Sequence, residues 1–178
     1  MSRFRVLLVP ALFGLILLTI AIVTRSGKFA RENPGQPINS AMREAMNMMN
    51  LDPDVEATIS LRYPTAQVTS TGLRYVIDKP GDGTTKPERG QTVVVNYRGA
   101  FLDGTEFDNS YKRGEPFTFQ VGLARVIPGW DEGVRDMTVG ETRTLIIPYW
   151  LGYGDKGIQG HIPGKATLIF DVELVNIQ

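Results

Sequence analysis

Few residues in this chain can carry bond-making chemistry. There is no cysteine and a single histidine, His161, so disulfides, thiolate nucleophiles, cysteine-ligated metals and multi-histidine metal sites are excluded. No GxSxG stretch is present, no second histidine could help a serine, and PGDGTTK at 80–86 lacks the spacing of a phosphate-binding loop. Neither a metal nor a cofactor is called for. What remains is the chemistry of apolar surfaces edged by isolated polar groups. The clearest case is VIPGW at 126–130, followed by DEGVRDM. Trp130 falls after a Pro-Gly break and before an acidic helix start, where so large a side chain need not be fully enclosed. On pattern alone it is either ordinary core or the floor of a pocket.

The elements around Trp130 read as a small sheet and one short helix. Ile127, Trp130, Val134 and Met137 share one helical face, and Asp131 and Glu132 stand in the first turn, where the helix dipole favours acids. Strand alternation places Val93, Val95 and Tyr97 on one side, with similar runs at Phe117, Phe119, Val121 and at Leu168, Phe170, Val172, Leu174. Gly-containing breaks at 80–83, 102–105 and 138–141 separate these runs. The expected class is α+β: a curved antiparallel sheet of about five strands wrapped around that one helix, over residues 71–178. A side chain at the helix mouth would then line any opening the sheet leaves.

The first part of the chain differs in kind. Residues 6–23, VLLVPALFGLILLTIAIV, carry no charge. Eighteen residues rise about 27 Å as a helix, close to the thickness of a bilayer's hydrocarbon core. A core helix would show a polar stripe, and a cleaved signal peptide a shorter run with a small-x-small site. The reading is therefore a signal-anchor over 1–31. Arg3 and Arg5 flank one end and Arg25, Lys28 and Arg31 the other, so the positive-inside count is close to a tie. A basic leader before an apolar run favours a membrane-anchored domain on the extracytoplasmic side, the periplasmic face of the inner membrane if the source is bacterial. From residue 32 onward 14 basic residues face 19 acidic ones, a balance with no footprint for nucleic acid.

Residues 32–70 read as a linker. Asn33-Pro34-Gly35-Gln36-Pro37 is a breaker cluster, and INSAMREAMNMMNL at 38–51 contains a short Met-rich helix, taken as 39–51 and ended by Pro53. It is either a spacer or a surface for self-association through Met42, Met46 and Met49, since methionine packs adaptably.

Four stretches, TGLRY (71–75), VVVNYRGAFLDGTEFDNS (93–110), VIPGWDEGVRDMTVGE (126–141) and GYGDKGIQGHIPGKATLIFDVELV (152–175), in this order, resemble the FKBP-type peptidyl-prolyl cis-trans isomerases. The resemblance covers essentially all of residues 72–178. It implies an aromatic pocket whose catalytic residues are Tyr97, Phe107, Asp108, Trp130, Tyr153 and Phe170. It further implies substrate contacts from Arg113, Phe117, Val126, Ile127, His161 and Ile162, with the backbone N–H of Val126–Ile127 donating to substrate and the Tyr153 hydroxyl meeting a carbonyl. Arg113 is expected to pair with Asp108 and orient it, and Trp150 to extend the rim. His161 departs from the aliphatic residue usual at its position.

Each of these residues also has a plainer reading. Phe117 and Phe170 alternate inward as core would, Tyr97 is an ordinary buried tyrosine, Asp108 in FDNS is a turn former, and His161 is a loop surface residue. The implied activity is rotation about X–Pro bonds of client polypeptides. The alternatives are a proline-segment binding or chaperone module of a membrane complex, and a structural subunit with a vestigial pocket.

Overall fold

A computed structural model describes residues 49–178. The expected anchor over 6–23 and most of the Met-rich helix lie outside these residues. Among the described residues, no helix is long and apolar enough to cross a membrane.

Helix α1 spans Pro53–Arg62, capped by Asp52, whose side chain accepts from the Asp54 N–H. Pro53, read from sequence as the end of a helix, begins one instead. Proline suits the first helical position because the N–H it lacks would have no partner there. Residues 49–52 are not helical, so the Met-rich helix does not extend to residue 51. α1 belongs to the same compact unit as the sheet, Met49–Gln178, and places folded structure in what reads as linker.

The strands are β1 (Gln67–Val68), β2 (Arg74–Lys79), β3 (Thr92–Phe101), β4 (Glu106–Asn109), β5 (Phe117–Gln120), β6 (Thr142–Ile147) and β7 (Leu168–Ile177). They form one antiparallel sheet of seven strands in the order β1-β2-β6-β7-β3-β4, with β5 sharing the outer edge of β3. The sequence reading of about five strands missed the short ones. β1 has two residues, too few for alternation to register, and β4 carries a single apolar residue, Phe107, so it shows no apolar alternation. It also missed helices other than α3 (Pro128–Arg135): besides α1 there is α2 (Ser110–Arg113), a single turn.

The core lies between the inner face of the sheet and α3. Val93, Val95, Tyr97, Phe119, Leu145, Ile147, Leu168, Phe170, Val172 and Leu174 meet Trp130, Val134 and Met137 there. α3 comes close because Gly129 and Gly133 face the sheet. A Cβ on Gly129 would stand 2.7 Å from the Ile147 side chain, and one on Gly133 2.8 Å from that of Leu145. The outer face carries a smaller cluster in which Ile59 of α1 packs on Ile146 and Ile169. β6 and β7 are therefore buried on both faces.

Candidate active site

The outer edge of β3 is divided between two partners. Residues 92–95 pair with β5 and residues 98–100 with β4. At the gap, Ser110 accepts from the Tyr97 N–H at 2.8 Å and donates to the Tyr97 carbonyl at 3.2 Å. Ser110 is completely buried, and it fixes the backbone that carries Tyr97. Nothing in the sequence distinguishes this serine from a turn residue.

Across the sheet, Asp108, Gly99 and Phe170 stand in one row. Gly99 has no side chain to fill the space above it, and the rings of Phe107 and Phe170 occupy it. A Cβ there would lie 2.8 Å from both. Trp130 at the mouth of α3 meets these walls edge-on, with ring centroids 5.2 Å from Phe170 and 5.0 Å from Tyr97. Phe117 stands 6.0 Å from the indole in a similar T arrangement. Edge-to-face contacts of this kind are the favoured geometry for aromatic quadrupoles. They leave a hollow of about 410 Å³ lined by Tyr97, Phe107, Asp108, Phe117, Ala124, Arg125, Val126, Ile127, Trp130, Tyr153 and Phe170. That volume is in the range of small-ligand sites.

The polar groups are held at the rim. α2 is capped at its start by Asn109, whose side chain accepts from the Tyr111 and Lys112 N–H groups, and at its end by Gly114 in the left-handed conformation. This single turn projects Arg113 onto the Asp108 carboxylate and, at 3.1 Å, onto the Tyr97 hydroxyl. Tyr97 donates to the other Asp108 oxygen. The three form a closed polar cluster, as expected for an arginine that orients the acid. Burial pushes the Tyr97 phenol above its ordinary pKa, and the hydrogen bond to Asp108 adds to this. Burial also raises Tyr153, with the Asp108 charge second.

The opposite lip is the segment 122–127. Asp131 in the first turn of α3 accepts from the Gly122 N–H at 2.8 Å and the Ala124 N–H at 2.7 Å. This holds Ala124 at a φ of 53°, a conformation uncommon outside glycine. Ile127 is the cap residue of α3, so its N–H stands outside the helix's own ladder and is free to meet a ligand. The Trp130 indole N–H is buried without a hydrogen-bond partner.

Nine of the residues implied by resemblance therefore line one hollow, and Arg113 braces it from behind. The other two do not line it. Ile162 is buried in the main core, and His161 sits in the adjoining turn with its Nδ1 3.2 Å from the Gln159 carbonyl; both border a separate depression with Phe101 and Ile158. Trp150 is not at the rim either. Its indole N–H donates to the Thr71 carbonyl at 3.0 Å, clamping the start of β2. Ala124 and Arg125 line the hollow although sequence reasoning gave them no role. Their position beside Val126 was the one available signal.

Fold and site together define a class: a sheet curled on one short helix that offers an apolar ring an aromatic cup with preset polar groups at its lip. The FKBP-type peptidyl-prolyl cis-trans isomerase family model matches residues 83–175. FK506-binding protein 2 of Emericella nidulans is 58% identical over 94 residues, 52% of this chain and 69% of that protein. Peptidyl-prolyl cis-trans isomerase FKBP15-1 of Arabidopsis thaliana is 49% identical over 106 residues, 60% of this chain and 67% of that protein. The crystal structure of AtFKBP13 superposes with a TM-score of 0.59 at 35% identity, covering 64% of this chain and 98% of that one. The chain belongs to the FKBP-type peptidyl-prolyl cis-trans isomerase family, and its activity is that of the family.

Proposed function

We propose that the cup accelerates X–Pro rotation in client polypeptides by binding the twisted amide better than the planar one. The barrier is ~18–20 kcal/mol because resonance makes the C–N bond partly double, and uncatalysed exchange takes tens of seconds or longer. At the twisted geometry that resonance is lost and the carbonyl becomes less polar. A dry aromatic wall accepts this form more readily than the planar amide, which is differential binding aided by desolvation. The proline ring rests on Trp130 between Tyr97, Phe107, Phe117 and Phe170. The Ile127 N–H and the Tyr153 hydroxyl donate to substrate carbonyls, and Asp108, held by Arg113 and Tyr97, presents a fixed dipole to the rotating group. The observation that carries this reading is the edge-on packing of Tyr97 and Phe170 against Trp130 beside the Asp108–Arg113–Tyr97 cluster.

The test is acceleration of cis-to-trans relaxation of an X–Pro peptide by the full chain in neutral detergent. Asp108→Val or Tyr153→Phe should slow it. Peptide binding without acceleration would replace the isomerase by a holding module that recruits proline-containing clients.

The sequence of the first part of the chain supports a second part of the proposal. The uncharged run 6–23 anchors the chain in a membrane with the isomerase domain on the extracytoplasmic side, and Met42, Met46 and Met49 offer a surface for self-association. Complete release by carbonate extraction would sink the anchor. An oligomer signal that survives replacement of the three methionines by serine would remove the association role.

A further inference from the structure

Asp108 and Arg125 are the charged residues that line the cup, and they differ in how they are held. Asp108 is satisfied by Arg113, the Tyr97 hydroxyl and the Asn109 N–H. Arg125 is exposed and makes no ion pair among the described residues. Its backbone is nonetheless set. Ala124 on one side is fixed by its N–H bond to Asp131, and Ile127 two residues on is the cap of α3. The cup thus has one neutralised acid on its far wall and one uncompensated cation on its near lip. The body as a whole has the opposite sign, with 14 basic against 19 acidic residues from residue 32 onward. A guanidinium is a planar fork suited to carboxylates.

We infer that Arg125 is a specificity-determining residue that favours client segments carrying an acidic side chain next to the proline. This rests on the isomerase reading, which places the proline ring on Trp130 and so brings its neighbours to the lip. Two opposite charges near 4 Å in water attract by about 1 kcal/mol, which corresponds to roughly a fivefold change in rate. Because the contact is solvent-exposed, the preference weakens with salt.

The test uses the full chain in neutral detergent with peptides identical except for Glu, Gln or Lys beside the proline, placed before it or after it. At low ionic strength kcat/KM for the Glu peptide should exceed that for the Gln peptide by about fivefold in at least one placement, with the Lys peptide lower still. High salt should collapse the spread. Arg125→Glu should invert the order, and Arg125→Lys should retain it in weakened form. Equal rates for Glu and Lys in both placements, or an order unchanged in R125E, would overturn the inference. Titrating the same peptides by tryptophan fluorescence separates this from the parent reading. If no peptide is accelerated, the isomerase reading fails, and the order of binding affinities still decides the role of Arg125.

Discussion

The two faces of the sheet bury similar strands but do different work. On the inner face, rings from β3, β5 and β7 meet Trp130, Phe107 of β4 packs on Phe170, and together they leave a hollow. On the outer face, Ile146 and Ile169 meet Ile59 of α1, with Leu51, Val55 and Tyr63 packed around them. Tyr97, Phe107, Phe117, Trp130 and Phe170 line the inner hollow, whereas the outer cluster is mainly aliphatic, with Tyr63 packed against it. A binding site thus arises where packing is specific but incomplete. Ion pairs join Arg98 to both Glu106 and Asp171, and Arg74 of β2 to Glu56 of α1. Part-exposed pairs such as these contribute little individually.

The comparison is broken most directly at Trp130. Replacing it with alanine should lower kcat/KM roughly a hundredfold, equivalent to about 2.7 kcal/mol of lost transition-state binding. The accompanying loss of stability should reach the ~3–5 kcal/mol typical of a buried aromatic, because the indole is only 4% exposed and packs in the main core as well as lining the hollow. Thermal unfolding alongside peptide kinetics checks both. A collapsed fold would return Trp130 to ordinary core.

Ile59→Ala is the outer-face counterpart. It should cost about 2–4 kcal/mol in denaturant unfolding while kcat/KM of the folded fraction stays within about twofold, since Ile59 contacts nothing that lines the cup. A large catalytic loss in this variant would show that the faces are coupled through β6 and β7.

Ser110→Ala sharpens the comparison from within the inner face. It removes the partner of the buried Tyr97 N–H, at an expected cost of ~1–3 kcal/mol. Tyr97 should also lose its register with Asp108, so kcat/KM should fall by more than the stability change accounts for. Ser110→Thr, which keeps the hydroxyl, should recover part of the rate if its methyl is accommodated.

The smallest effect concerns pH. Burial raises the phenol pKa values of Tyr97 and Tyr153 on the inner side and of Tyr63 on the outer side. A group whose folded pKa exceeds its unfolded value of roughly 10 contributes stability that is complete below that pH and is lost as pH rises through the folded value. Unfolding free energy should therefore decline above about pH 10. Tyr63→Phe should flatten part of that decline without altering the pH profile of isomerisation, whereas Tyr97→Phe should alter both. Identical profiles for the two variants would remove the distinction between faces.

Most of the inner face was legible in the sequence. Alternation at Val93, Val95 and Tyr97 and at Leu168, Phe170, Val172 and Leu174 predicts buried positions, and these residues are buried. The α3 stripe of Trp130 and Val134 packs as its spacing requires. Most of the outer face was not legible. α1 buries a single residue of its own, Ile59, too weak a stripe to distinguish a docked helix from a polar linker. Ile169 reads as the outward member of an alternating strand until α1 covers it.

The sequence by itself determined the inward and outward sense of the long strands, the apolar face of α3, the absence of thiol chemistry and the family. These follow from side-chain period and residue type, which are local properties of the chain. Only the tertiary structure decided which residues share the cup. Arg125 and Ala124 enter it, while His161, Ile162 and Trp150 do not. It also decided that a buried serine 13 residues along the chain from Tyr97 holds that residue's backbone. Such facts depend on where a turn, a one-turn helix and a strained lip bring side chains from separate strands to one point. Neither period nor residue type encodes that distance.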